Sequence, residues 1–275
     1  MRNTLIAAIA LFATPVLAEW QLEGFEMPES TLYDAERNQI VVSNIVGNPM
    51  EADGQGYLSL VSPSGELLSQ RWATGMDAPK GLAVVGDRIY VADLTKLHVV
   101  DADTGSVLQS VEVPDAKFLN DITASSEGVY ISDMLTHTIW HFHNGVLNIA
   151  VQSPDLNHPN GLLWRDGALL IGSWGPDMQA DFSTSGPGDL LSWSPDTDTI
   201  SVVAPAVGNI DGIVERDGAL VISDWISGAL WRLSADAELS KIAQYPAGLA
   251  DIGATESEIL IPHMLSGRVE AVAFD

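Results

Sequence analysis

Short apolar runs recur along the chain, and each ends in a small or polar residue. The six runs are residues 40–44, 89–93, 129–133, 170–173, 220–224 and 260–263. Runs of this length that are rich in Val, Ile, Leu and Tyr are typical of β-strands. Gly-Asp and Asp-Gly pairs such as Gly86-Asp87 and Asp217-Gly218 precede several of them and favour hairpin turns. No helical periodicity is sustained anywhere, so the pattern predicts an all-β protein.

A second feature precedes each run by roughly 9 to 13 residues: a marker residue, usually polar, at the start of another short strand. The markers are Glu29, Lys80, Asn120, Asn160, Asp211 and Asp251, separated by 51, 40, 40, 51 and 40 residues. A period near 40 residues with several strands per period is typical of a β-propeller with one four-stranded sheet per repeat. The chain is therefore predicted to be a six-bladed β-propeller.

The two ends of the chain suggest how the propeller closes. Only three strands remain after Asp251, and residues 19–25 have a strand-like alternation before the first marker. The N-terminal strand is expected to complete the last blade, which would remove open sheet edges. The alternative is that this segment frays.

Residues 1–18 have the features of a cleaved export signal. Arg2 supplies a positive start, residues 5–17 form an apolar stretch, and Ala18 ends a small-residue cleavage site. The stretch is short for a membrane-spanning helix, although an uncleaved anchor is the alternative. We therefore expect residues 19–275 to form a single domain that is periplasmic or secreted, without membrane insertion after cleavage.

Composition limits the classes of partner. The formal net charge is −25, which repels phosphate backbones and argues against nucleic-acid binding. The chain contains no cysteine, so it has neither disulfides nor thiolate chemistry. The repeats with the longer spacing have insertions at residues 46–56 and 175–188, rich in Gly, Pro, Asp and Met. We expect both insertions on the same face as the markers, as a lid or rim over the channel mouth.

Four markers together predict a cation site. Inner strands converge on the propeller axis, so Glu29, Asn120, Asn160 and Asp211 should face one another. Carboxylate and amide oxygens without histidine or cysteine suit Ca²⁺ and not zinc. Asp121, next to Asn120, is expected to support Asn120 without contacting the cation itself. Taken singly, each Asn or Asp also fits an ordinary turn or strand cap.

The chain resembles the gluconolactonase/senescence-marker/regucalcin family of six-bladed propellers and, more distantly, the serum paraoxonases. The motifs are Pro28-Glu29-Ser30 followed by Leu32-Tyr33, Asn160-Gly161-Leu162, Asp211-Gly212-Ile213 and Leu119-Asn120-Asp121-Ile122. The resemblance implies that Glu29, Asn160 and Asp211 bind one catalytic divalent cation, and that Asn120 lies in the cation site or the substrate pocket.

The same resemblance implies hydrolysis of a small lactone or ester. The cation would polarise the carbonyl, and Asp211 would be both a ligand and the general base. Asp133 and Asp224, at the ends of second strands, are the other candidate bases. Lys80 occupies the position at which the paraoxonase pattern has a histidine, so a mechanism that depends on this histidine is not expected for this chain.

Other residues are candidates for contacting the substrate. Lys80 would either bind an acidic substrate group or pair with Asp77 or Asp93. Trp174, beside the second insertion, is expected to contact a ligand, and His263 is a candidate for the pocket lining. The alternative function is a non-catalytic periplasmic propeller that binds a small ligand or partner protein, with a structural cation.

Overall fold

Residues 18–274 are described by the computed structural model, and they form a six-bladed β-propeller. Each blade is a four-stranded antiparallel sheet. This confirms the all-β class and the number of blades. The predicted export signal falls almost entirely on residues 1–17, which lie outside the described residues.

The strands are numbered in chain order from β1 (Ala18–Glu23). Blade 1 contains β2 (Pro28–Asp34), β3 (Gln39–Asn44), β4 (Gly56–Val61) and β5 (Leu67–Met76). Blade 2 contains β6 (Pro79–Val85), β7 (Arg88–Asp93), β8 (Lys96–Asp101) and β9 (Val107–Glu112). Blade 3 contains β10 (Leu119–Ser125), β11 (Gly128–Asp133), β12 (Thr138–His143) and β13 (Val146–Gln152).

Blade 4 contains β14 (Pro159–Arg165), β15 (Ala168–Ser173), β16 (Gly188–Ser194) and β17 (Thr199–Gly208). Blade 5 contains β18 (Ile210–Arg216), β19 (Ala219–Asp224), β20 (Ala229–Leu233) and β21 (Leu239–Gln244). Blade 6 contains β22 (Gly253–Ala254), β23 (Glu258–His263) and β24 (Arg268–Ala273), and its fourth strand is β1. Two short 3₁₀ helices, Pro154–Leu156 and Met264–Ser266, complete the described elements.

The N-terminal strand closes the ring, as predicted. β1 pairs antiparallel with β24, with Gln21 opposite Glu270. Trp20 of β1 also reaches the first blade, where its indole N–H donates to the carbonyl of Pro63 at 2.9 Å. The strand therefore joins the last blade to the first, and blade 6 gains a fourth strand that would otherwise be missing.

Each inner strand begins with the same irregularity. In blade 1, Pro28 lies opposite Asn44, but the next paired residue is Thr31, opposite Val42, so the inner strand has one extra residue. Blades 2 to 5 repeat this bulge. The marker is the second residue of the inner strand and falls within the bulge, where the strand bends and ladder pairing is interrupted.

The register of blade 6 corrects one marker. Leu249 bridges His263, as Pro28 pairs with Asn44 in blade 1. The residue equivalent to Glu29 is therefore Ala250, and Asp251 occupies the next position, equivalent to Ser30. A parallel bridge between Ser30 and Asp251 confirms the equivalence. The prediction that Asp251 is the sixth marker is therefore wrong by one residue, and the inner strand of this blade is only two residues long.

The core consists mainly of apolar clusters between neighbouring blades. One cluster joins Ala83 and Leu97 of blade 2 to Ile122 and Ile131 of blade 3. Within residues 18–274, no helix has the length and apolar character required to cross a membrane. The interblade contacts hold the inner strands around the axis and so fix the position of the markers.

Candidate functional site

One cavity lies at the marker end of the central channel, with a volume of about 230 Å³. Five markers line it, one from each of the first five blades, and we call them the polar ring: Glu29, Lys80, Asn120, Asn160 and Asp211. All five side chains are almost fully buried. The polar ring therefore forms the floor of the cavity, as the repeat pattern predicted for Glu29, Asn120, Asn160 and Asp211.

Two fully buried oxygens of the polar ring are left without a hydrogen-bond partner. Asn160 donates its amide N–H to Asp211 Oδ1 at 2.8 Å, which directs Asn160 Oδ1 elsewhere. Among residues 18–274, the buried side-chain acceptors that lack a hydrogen bond are Asn160 Oδ1 and Glu29 Oε2. Buried polar atoms are rarely left unpaired, because the loss of water without replacement is costly. Both orphaned acceptors belong to residues predicted to hold a cation.

The floor contains more acids than bases. Burial, reinforced by the charges of Asp211 and Asp251, raises the pKa of Glu29 well above its usual value. Burial and Asp251 likewise raise the pKa of Asp211. Asp251 itself has a pKa raised by burial and by Asp121, while burial raises the pKa of Asp121 to about 8. Four buried carboxyl groups therefore lie near one another, in an environment that disfavours their charged forms.

Lys80 is the basic member of the polar ring. Its ammonium donates to the carbonyl of Ala78 at 2.8 Å and lies 4.6 Å from the centre of the Phe118 ring. Burial lowers the pKa of Lys80, although Glu29, Asp93 and Asp211 oppose the change. Asp77 forms an ion pair with Lys96, and Asp93 Oδ2 lies 2.9 Å from His98 Nε2, within hydrogen-bond distance. The predicted pairing of Lys80 with Asp77 or Asp93 is therefore replaced by a backbone contact, and Lys80 faces the cavity.

The donor set of the floor fits a hard cation. Glu29, Asn160 and Asp211 offer carboxylate and amide oxygens, and Asn120 lines the same cavity. Within residues 18–274, no three His, Cys, Asp or Glu side chains are grouped so that they could hold a metal by themselves. A cation here would depend on amide oxygens and water as well as carboxylates, which is the ligand chemistry of Ca²⁺.

A second ring of side chains, of which the sequence predicted only Trp174, forms the wall of the cavity. It consists of the residue that follows the second strand in five blades, and we call it the apolar ring: Ile45, Met134, Trp174, Trp225 and Met264. In blades 1, 3, 4 and 5 the backbone N–H of this residue donates to the carbonyl of the residue that precedes the inner strand. In blade 6 it donates to the carbonyl of Gly248, which precedes the bridged residue Leu249. The signal was present in the sequence, because each polar strand end is followed by an apolar residue.

Both insertions reach the cavity. Pro49 comes from the blade 1 insertion, and Asp181 and Phe182 come from the blade 4 insertion. Trp174, predicted to contact a ligand, lines the wall and donates its indole N–H to the carbonyl of Phe182 at 2.8 Å. The prediction that these loops lie over the channel mouth agrees with their position.

The other candidate bases lie outside the cavity. Asp133 is fully buried, and its two oxygens accept hydrogen bonds from the backbone N–H groups of Lys117 and Phe118 at 3.1 and 3.0 Å. Asp224 accepts from the backbone N–H of Ser227 at 3.0 Å, and its carboxylate lies against Gly208. Both carboxylates hold loops in place and do not line the cavity, so the structure does not support either as a base.

Two further predicted residues are also directed elsewhere. His263 contacts Glu270 at 3.1 Å and Arg268 at 3.0 Å through Nε2, and it does not line the cavity. Asp121 accepts from the backbone N–H groups of Ile122 and Leu162, at 2.6 and 2.5 Å. Asp121 therefore ties blade 3 to blade 4, and its carboxylate lines the channel beyond the polar ring.

Comparison with solved structures places the fold among known propellers. A gluconolactonase from Xanthomonas campestris matches with a TM-score of 0.66 and 15% identity, over 94% of this chain and 89% of that one. Virginiamycin B lyase from Staphylococcus aureus matches with a TM-score of 0.58 and 13% identity, over 93% and 99% of the two chains. A chain of the nidogen/laminin complex matches with a TM-score of 0.63 and 16% identity, over 83% and 85%.

No protein-family model and no curated protein sequence matches the chain. The structural matches are at 12–16% identity and therefore establish the fold alone. The matched structures include two kinds of enzyme and a complex of binding proteins, so the fold does not decide between catalysis and binding.

Proposed function

We propose that this protein is an exported, calcium-dependent hydrolase that acts on a small lactone or ester at the channel mouth. The observation that carries the proposal is the pair of orphaned buried acceptors, Glu29 Oε2 and Asn160 Oδ1, on the floor of the cavity. The excess of buried acids over bases around them also favours a bound cation.

Glu29, Asn120, Asn160 and Asp211 would hold the cation. A divalent cation in that position supplies a Lewis acid that polarises a carbonyl group and stabilises negative charge on its oxygen. The hydrogen bond from Asn160 fixes the orientation of the Asp211 carboxylate. Asp211 is the candidate base, because its carboxylate lines the cavity and is oriented there by Asn160. The Lys80 ammonium is placed to donate to a substrate oxygen.

The decisive experiment measures hydrolysis of a panel of lactones and esters by the protein with Ca²⁺ and with EDTA. Asn160→Ala is expected to lower cation affinity and kcat/KM by on the order of 10- to 100-fold, because it removes an oxygen from the floor. Asn148→Ala, at an exposed position of β13, is the matched control and should change neither quantity.

A binding function is the second candidate, and one observation favours it. With Asp133 and Asp224 engaged by backbone amides, Asp211 is the remaining candidate base, and it already accepts a hydrogen bond from Asn160. Tight calcium binding without turnover on any lactone or ester would establish a propeller with a structural cation that binds a small ligand or partner. Unchanged cation affinity in Asn160→Ala would refute the cation site.

A further inference from the structure

The cavity changes character between its floor and its mouth. Ten of the sixteen residues that line it are apolar, and five of the six polar ones form the polar ring. The sixth, Asp181, is exposed in the blade 4 insertion. Leu265, at 61% exposure, also lines the cavity and marks its open end. A ligand that reaches the floor would therefore be surrounded by apolar side chains over most of its length.

The tryptophans of the wall have no indole N–H left for a ligand. Trp174 donates its N–H to the carbonyl of Phe182 at 2.8 Å, and Trp225 points its N–H to the sulfur of Met264 at 3.4 Å. The wall thus presents ring faces and methionine side chains. Such a surface gains free energy from apolar contact and offers no partners to hydroxyl groups.

The blade 4 insertion completes the wall. Phe182 packs against Phe118 of blade 3, with ring centroids 5.6 Å apart. Asn209, which precedes the inner strand of blade 5, donates to the carbonyl of Trp174 at 2.6 Å and to Thr184 Oγ1 at 3.0 Å, so it holds the start of the insertion and a residue within it. Phe182 is therefore fixed over the cavity by contacts within the loop and across blades.

We propose that the substrate is a lactone or ester whose acid part is an alkyl chain or an aromatic ring, and not a polyhydroxylated sugar lactone. This inference rests on the proposed hydrolase function. The apolar part would lie between the apolar ring, Phe118 and Phe182, with the ester group on the polar ring. A cavity of about 230 Å³ exceeds the roughly 150 Å³ that admits benzene, which leaves room for an aryl group or a short alkyl chain.

The reaction is a simple hydrolysis. The oxygen of water bonds to the acyl carbon, and the bond from that carbon to the ester oxygen breaks. One proton of the water is released as the new carboxylic acid ionises, and the other ends on the leaving oxygen. A lactone gives one hydroxy acid, and an ester gives an acid and an alcohol. A hydroxyl group on the acid part would face the apolar ring without a hydrogen-bond partner, which disfavours sugar lactones.

The test compares γ-lactones of increasing alkyl chain length, methyl benzoate and glucono-δ-lactone at saturating Ca²⁺. We expect kcat/KM to rise by about 10-fold or more between the shortest and the best alkyl lactone, and to be lowest for glucono-δ-lactone. Leu265→Ser should reduce the gain in kcat/KM from a longer alkyl chain. Leu68→Ser is the matched control, because Leu68 is 54% exposed on β5 and lies outside the cavity.

Phe182→Ser tests the insertion itself and should also flatten the dependence on chain length. Because Leu265 is largely exposed, its substitution keeps the test valid if Phe182→Ser fails to fold. Turnover confined to glucono-δ-lactone would overturn this inference and support the proposed function. Absence of turnover on every substrate would overturn the proposed function. Calorimetric titration with alkyl lactams, which are not hydrolysed, would then show whether the cavity binds apolar ligands; no binding would overturn this inference as well.

Discussion

Identical residue types perform different tasks at the two ends of the short strands. Asp133 ends a second strand and accepts two adjacent backbone N–H groups, and Asp93 does the same in blade 2. Asp211, at the start of an inner strand, faces the cavity instead. An ionised carboxylate accepts hydrogen bonds and donates none, so it suits a loop that presents two backbone N–H groups. Position within the repeat therefore decides which aspartate is available for chemistry.

Substitution of Asp133 separates a structural role from a catalytic one. Asp133→Asn replaces one acceptor by an NH₂ group that faces a backbone N–H, so we expect the free energy of unfolding to fall by about 1–3 kcal/mol. Turnover per folded molecule should remain, because Asp133 does not line the cavity. Thermal unfolding and kcat measured well below the midpoint check both expectations. Asp196→Asn, at an exposed site, is the control, and a large loss of kcat with unchanged stability would restore Asp133 as a base.

At the scale of elements, β1 is what turns six repeats into a closed ring. It supplies the outer strand of blade 6 through β24 and contacts blade 1 through Trp20. The Trp20 ring also packs over Gly65, where an added Cβ would lie within 2.6 Å of it. The sequence predicted this closure because residues 19–25 alternate like a strand. It gave no sign of the contact with Pro63 and Gly65, which depends on the turn between β4 and β5.

Loss of the Trp20 contact should weaken the closure. We expect Trp20→Ala to lower the free energy of unfolding by about 1–3 kcal/mol, since it removes a half-buried aromatic ring and one hydrogen bond. Gln21→Ala, at an exposed position of the same strand, should change it by less than about 0.5 kcal/mol. Urea denaturation followed by circular dichroism provides both values. Equal effects of the two substitutions would mean that β1 contributes through its backbone alone.

At the scale of the whole molecule, the propeller places four acids and one lysine at its axis. Ser30 donates to Asp251 across 221 residues of sequence, and Asn160 donates to Asp211 across 51. These contacts bring the carboxyl groups together because six inner strands converge, although the four acids lie on three different strands and one connecting segment. The pKa values of Glu29, Asp121, Asp211 and Asp251 are all raised, with burial as the largest cause.

The raised pKa values predict how stability depends on pH. Below about pH 4 these acids hold their protons in both states. As the pH rises, the unfolded chain releases protons that the folded cluster retains, so the free energy of unfolding falls until the folded pKa is passed, which for Asp121 is about 8. In EDTA, the unfolding midpoint should therefore drop by at least about 5 °C between pH 5 and pH 8.

Calcium and one variant check that the cluster is the cause. Ca²⁺ should restore much of the lost stability at pH 8, since it binds the folded state, and restore less at pH 5. Asp251→Asn removes one acid while it retains an acceptor for Ser30, so the decrease from pH 5 to pH 8 should become smaller. Scanning calorimetry at both pH values measures these changes. A midpoint in EDTA that is constant from pH 5 to pH 8 in the unmodified protein would contradict the acid cluster.

The sequence by itself determined the all-β fold, the six blades, the closing strand and the four oxygen-bearing members of the polar ring. It could do so because strand alternation and a period near 40 residues are local patterns that repeat. The tertiary structure alone decided that Ala250 and not Asp251 occupies the sixth marker position, and that Asp133, Asp224 and His263 are engaged outside the cavity. It also assembled the apolar ring. The physical reason is that a bulge shifts register by one residue, and that side chains from different blades meet only where the strands converge.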